Sequence, residues 1–119
     1  MFERRMSLDY ERISLALKAM ADPKRMKIID LLSYSDMCAC DVLKHFDFTQ
    51  PTLSHHMKVL EKAGIVSVSK QKQWHHYTLR EDFVEEFMDS MTHLFSDCTE
   101  NIETNAKRKN QTNKETSIK

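Results

Sequence analysis

A single glycine and two prolines in 119 residues leave few residues from which to build tight turns. That scarcity argues against all-β folds, collagen-like repeats and glycine-rich phosphate loops, and it leaves a mostly helical domain. No apolar run approaches the roughly 20 residues a membrane span needs. The opening segment Met1–Ser7 is too charged and too short for a secretory signal, so the expectation is a cytoplasmic protein with no membrane partner. Three cysteines, two of them separated by one residue, do not make the disulfide framework of a secreted scaffold. Metal or redox chemistry, or plain packing, has to account for them. The length suits one domain and is short for two.

The formal net charge of zero is a cancellation between segments. From Phe48 to Arg80 five basic residues (Lys58, Lys62, Lys70, Lys72, Arg80) face only Glu61, a net +4 that suits a polyanionic partner. Glu81 to Thr104 holds eight acids and no lysine or arginine, so it does not face phosphates. Asn105 to Lys119 is basic again, with almost no large apolar side chains, and is expected to be a disordered tail. The expected division is therefore a folded domain over residues 1–104 and a basic tail over 105–119.

Leu8 to Ala21 carries a helical stripe of Leu8, Ile13, Ala16, Leu17 and Met20. Asp22-Pro23 closes that helix and opens a second, since aspartate caps well and proline in the first turn loses no needed hydrogen bond. The second helix is expected to reach about Leu32 and to bury Met26, Ile29 and Leu32. Asp36 is the expected cap of a third, short helix over Met37 to His45, with Val42 and Phe46 inward. Thr49 caps a fourth that begins at Gln50-Pro51 and ends near Ala63, with Leu53, Met57 and Leu60 inward. Gly64 is placed to take the left-handed conformation that stops it. Thereafter the period changes to two, giving strands over Ile65–Ser69 and Trp74–Leu79 joined by a four-residue tip, Lys70-Gln71-Lys72-Gln73. An acidic amphipathic helix follows, with Val84, Phe87, Met88, Met91, Leu94 or Phe95, Cys98 and Ile102 on one stripe. The fold class is mainly α with a small β-hairpin, a winged helix-turn-helix. Its first and last helices carry more apolar surface than so small a core can cover, which marks them as elements of a homodimer.

Several stretches resemble the ArsR/SmtB family of metal-responsive bacterial repressors. They are Ala21-Asp22-Pro23-Lys24-Arg25, Met37-Cys38-Ala39-Cys40-Asp41, the run Gln50 to Leu60 (QPTLSHHMKVL), and Gly64-Ile65-Val66 leading to Trp74-His75-His76-Tyr77. The resemblance spans about residues 8 to 100, and the Cys-x-Cys-Asp stretch is similar to the thiolate-sensing, arsenic-responsive branch. It implies a homodimer that binds double-stranded DNA at an inverted-repeat operator and is released by As(III) or Sb(III), with no permanent cofactor. Two departures stand out. Arsenic repressors with this motif can carry a third cysteine three residues after the second, where this chain has Leu43. The family's other metal site is represented only by Asp89 and His93, four apart on the last helix.

The site residues follow. Cys38 and Cys40 are the expected thiolate ligands, because soft ions prefer sulfur and a helix N-terminus favours the ionised form. On a regular helix, residues two apart project roughly 200° from each other, so the expectation is that binding distorts the third helix and tilts the fourth. Cys98 is either a packing residue of the last helix or a third ligand. Gln50, Thr52, Ser54, His55 and Lys58 form the outward face of the fourth helix, the face that reads DNA in this motif. Lys70 and Lys72 at the hairpin tip are expected to touch phosphate or the minor groove. His56 is read as a hydrogen-bonded packing residue, Trp74 and Tyr77 as structural, and His75, His76 and His93 have no zinc spacing. Two rival sensor readings remain, one for Cd(II), Pb(II) or Zn(II) and one for oxidants acting on the thiols. A dithiol oxidoreductase is disfavoured because the chain has no βαβ unit to present the pair, so an enzyme is not expected.

Overall fold

The computed structural model describes residues 8–96. They divide between a compact unit, Asp9–Met88, and a second unit to which Leu8 and Asp89–Ser96 belong. The elements in order are α1 (Tyr10–Met20), α2 (Pro23–Leu32), β1 (Met37–Cys38), α3 (Ala39–Leu43), α4 (Gln50–Lys62), β2 (Val66–Gln71), β3 (Trp74–Leu79) and α5 (Glu81–Leu94). Among the described residues no helix is long and apolar enough to cross a membrane. Cys98 and the tail expected over 105–119 lie outside the described residues.

Local chemistry sets most of the boundaries. Asp9 caps α1 by accepting from the backbone N–H of Arg12 at 3.1 Å. Asp22 caps α2, accepting from Lys24 and Arg25 at 2.8 and 3.2 Å ahead of the first-turn Pro23. Those backbone donors, Arg25 foremost, hold the Asp22 carboxyl below its ordinary pKa against a smaller desolvation effect. Thr49 occupies the cap position of α4, but its side chain makes no capping bond. Its Oγ1 lies 3.4 Å from Oγ1 of Thr52 instead. At the other end of α4, Gly64 adopts φ +80 and donates to the Glu61 carbonyl, while Ile65 donates to that of Leu60. This pair of bonds ends a helix in a left-handed residue, which glycine adopts without a Cβ clash.

The core is a cluster of Ala19, Ile28, Leu32, Ala39, Val42, Leu53, Met57, Leu60, Ile65, Val66 and Tyr77. Burying each large aliphatic side chain contributes on the order of 1.5–3 kcal/mol. Inward residues of α4 match the expected Leu53, Met57 and Leu60, with His56 added. In α2 the phase differs: Ile28 and Leu32 are buried, Ile29 is half-buried and Met26 is 56% exposed. Ile28 and Leu32, one turn apart, define the face that reaches the core, and Met26 falls off it.

The sheet has three strands where a two-stranded hairpin was expected, in the order β1-β3-β2, all antiparallel. Pairing of β2 with β3 runs from Val66↔Leu79 to Gln71↔Trp74, so the hairpin tip is only Lys72-Gln73 and Lys70 lies within the strand. Lys72 makes this tight reversal with φ +60. That conformation is uncommon without glycine or asparagine, and for that reason the short turn was not visible in the sequence.

Candidate functional site

The helix-turn-helix consists of α3 and α4, and the β2–β3 hairpin forms the wing beside α4. Gln50, His55 and Lys58 are exposed on α4, whereas Thr52 and Ser54 are half-buried. Lys70 and Lys72 are exposed on the wing. Ser54, Lys58 and Lys70 line one groove between α4 and the wing, which Gln50, Thr52, His55 and Lys72 do not line. The outward face of α4 therefore splits into a free-standing part and a part that shares a cleft with the sheet.

His56 is buried and links α4 to α2. Its Nδ1 lies 3.1 Å from a guanidinium nitrogen of Arg25, and arginine can only donate, so Nδ1 is the acceptor of a neutral ring. Arg25 Nε also donates to the Ala19 carbonyl at 2.6 Å. One arginine thus joins the end of α1, the start of α2 and the middle of α4. Burial lowers the His56 pKa; the Asp22 charge opposes that effect and Arg25 reinforces it. Arg25 was not singled out in the sequence as a support of α4. Its place in the first turn of α2, two residues after Pro23, was the available signal.

The thiol site differs from expectation in one decisive respect. Cys38 is not helical: it lies in β1 and caps α3 with extended backbone, φ −80 and ψ 161. Only Cys40 belongs to the helix, so the argument for divergent sulfurs does not apply. The two sulfurs meet and are joined as a disulfide, with Cα atoms 5.4 Å apart. No unwinding of α3 is needed to bring them together. The carboxylate of Asp41 is close by, and the ligand atoms of Cys38, Cys40 and Asp41 all lie within 4.8 Å of one another. Asp41 also pairs with Lys44 at 3.2 Å.

Because β1 pairs with β3, the thiol site is built into the wing. Met37 pairs with Tyr77 and Cys38 with His76. Tyr77 is buried and pairs on its other side with Val68 of β2. Burial, with a smaller effect from the Glu61 charge, raises its pKa. Asp36, expected as a helix cap, instead places its carboxylate 3.8 Å from His76 Nε2. On α5, His93 lies beside Asp89, its Nδ1 2.8 Å from the Asp89 carbonyl oxygen and 3.5 Å from the carboxylate. Trp74 is partly exposed on the wing, and Tyr77 takes the structural place expected of both.

Residues 22–68 match the family model described as bacterial regulatory protein, arsR family. Over 78 residues the chain is 46% identical to the arsenical resistance operon repressor of Staphylococcus xylosus, an alignment covering 66% of this chain and 75% of that one. Over 84 residues it is 40% identical to the repressor of the same description from Staphylococcus aureus, covering 71% and 81% respectively. The chain belongs to the arsR family. Its fold is that of HlyU from Vibrio cholerae N16961, with a TM-score of 0.61 at 25% identity, covering 73% of this chain and 95% of that one. As an arsR-family protein it is a winged-helix transcriptional regulator, not an enzyme. In a helix-turn-helix the second helix is the one that enters the major groove, and α4 holds that position here. The matched segment contains α2, β1, α3, α4 and the start of β2, and so includes Cys38 and Cys40.

Proposed function

We propose that this arsR-family regulator is a cytoplasmic, homodimeric repressor that leaves an inverted-repeat operator when arsenite or antimonite is held by Cys38 and Cys40. The observation that carries the reading is the meeting of the two sulfurs at the junction of β1 and α3. Once reduced, they offer two soft donors to a single ion without rebuilding the backbone. Asp41, water or a small thiol can complete a three-coordinate site, and Cys98 is a further candidate. Readout of DNA falls to Gln50, Thr52, Ser54 and His55 on α4, with Lys58, Lys70 and Lys72 as phosphate contacts.

Coupling follows from the register of β1. An ion drawn onto Cys38 acts on a residue zipped to His76 in the wing, while its pull on Cys40 acts on α3, whose Val42 is packed in the core with Leu53 of α4. Both DNA-facing elements are one step from the ligand atoms. This replaces unwinding of α3 as the origin of the switch. The dimer reading rests on α1 and α5: Tyr10, Leu15 and Leu17 of α1 are exposed, and α5 buries no described side chain despite its apolar stripe.

Gel-shift titration on the chain's own promoter with arsenite, antimonite, Cd(II), Zn(II) and peroxide in parallel tests this. Arsenite should weaken wild-type binding by roughly 5–150-fold, the usual range of allosteric coupling. Cys38→Ser and Cys40→Ser should retain operator binding and lose that response. Cys98→Ser should remain inducible if it packs and become unresponsive if it ligates. A double Cys38→Ser/Cys40→Ser variant released at the wild-type arsenite concentration would place the sensor elsewhere. The bonded sulfurs favour a second reading, in which oxidation of the pair is the signal. Release by peroxide alone, reversed by a reducing thiol, would select it.

A further inference from the structure

We propose that the groove between α4 and the wing is a seat for a single DNA backbone phosphate, and that His75 is one of its contacts. This rests on the reading of the chain as a DNA-binding protein and adds a residue and a defined occupant to it. The groove encloses about 320 Å³ and is lined by Ser54 and Lys58 from α4, by Lys70 and His75 from the wing, and by Tyr77 and Glu61. His75 and Lys70 are directly opposed across the β2–β3 ladder. Their positions alternate with Tyr77 and Val68, which places all four on one face of the sheet. That face is the one turned toward α4.

The charge arrangement selects the occupant. Two ammonium groups, an imidazole and the hydroxyl-bearing Ser54, Ser69 and Tyr77 line the cleft, against the one carboxylate of Glu61. Glu61 lies about one helical turn beyond Lys58, so the cationic part of the groove is toward Ser54, the N-terminal side of α4. Tyr77 is buried beneath, at 2% exposure, and gives the groove a rigid floor. When a recognition helix enters a major groove about 12 Å wide, the sugar-phosphate strand along its wall runs past the flank of the helix. Here that flank faces a wing carrying Lys70 and His75. A phosphodiester supplies the anionic oxygens for both sides of the cleft, and such contacts fix register without reading sequence.

The test uses the full chain and a duplex enriched from a random-sequence library by the wild-type protein, with single phosphates replaced in turn by neutral methylphosphonates. Among the phosphates whose neutralisation weakens the wild type, one per half-site should be the groove's, its loss costing about tenfold. His75→Ala, Lys58→Ala and Lys70→Ala should each weaken binding, and neutralising that same phosphate should then cost each variant much less. All three residues are exposed, so thermal melts should match the wild type. If His75→Ala binds as the wild type does, or couples to a different phosphate from Lys58 and Lys70, the phosphate seat is overturned while the DNA-binding reading stands. A wild-type chain that enriches no duplex overturns both.

Discussion

The helices α4 and α5 are nearly equal in length, 13 and 14 residues, and both are amphipathic, yet α4 buries Leu53, His56, Met57 and Leu60 while α5 buries none of its described side chains. The difference is one of partners. Apolar residues on α4 meet α2, α3 and the sheet, and Arg25 clamps its buried histidine. Those on α5, Val84, Phe87 and Met91, remain half-buried, and Leu94 is 43% exposed. A DNA-reading helix has to be held rigidly by its own chain, because its side chains must reach base edges in a fixed geometry. In the proposed homodimer, α5 would leave its apolar stripe for the second copy to cover.

The largest effect should come from the buried helix. Leu60→Ala leaves a cavity among fully buried neighbours and should destabilise the fold by about 2–5 kcal/mol in urea unfolding monitored by circular dichroism. If this loss is intrinsic to each chain, the difference in free energy will not change with protein concentration. Phe87→Glu should act in the opposite way. If the proposed homodimer forms through α5, the secondary structure should persist, the melting temperature should depend on concentration in the wild type but not in the variant, and sedimentation should show the variant as a monomer. Should both variants depend on concentration in the same way, the contrast between α4 and α5 fails.

A smaller effect is expected from pH. In the folded chain His56 titrates below its unfolded value of about 6.5, chiefly because it is buried. The unfolded chain therefore binds more protons in the intervening window, and stability falls as pH drops from above 6.5 toward the folded pKa. Protonation also removes the Nδ1 acceptor used by Arg25 and sets two cations against each other. Unfolding free energies measured from pH 7.5 down to 5.5 should decline in the wild type and decline less steeply in His56→Leu, after subtraction of the variant's offset. An equal slope in both would mean that the Arg25–His56 link does not tie α4 to α2 in the way its geometry implies.

The smallest effect belongs to the end of α4. A Cβ at Gly64 would meet nothing nearer than a guanidinium nitrogen of Arg80 at 4.0 Å, so Gly64→Ala creates no clash and costs only the left-handed backbone conformation. That cost is about 1–2 kcal/mol, and it should appear as a lower urea midpoint with an unchanged slope. A change of slope would show that the helix end is loosened as well as strained.

What the sequence determined by itself is what short-range chemistry decides. Asp22 with Pro23 starts α2, Gln50-Pro51 starts α4, and Gly64 ends it, because a cap, a missing N–H and a missing Cβ each act within one turn of their own position. The inward face of α4 was legible in the 3.6-residue spacing of Leu53, Met57 and Leu60, and the close spacing of Cys38 and Cys40 marked them as a pair to place in the fold. Tertiary structure alone decided where those thiols point. A two-residue strand such as Met37–Cys38 has no periodicity to read, and it exists only because Tyr77 and His76, distant in the chain, supply its hydrogen bonds. That pairing takes Cys38 off the helix, brings its sulfur to Cys40 and fastens the site to the wing. The same is true of His75, which carries no local signal and joins the proposed phosphate seat only because the β2–β3 register sets it opposite Lys70 and beside α4. Contacts made across the fold depend on which elements become neighbours, and no residue's immediate sequence holds that information.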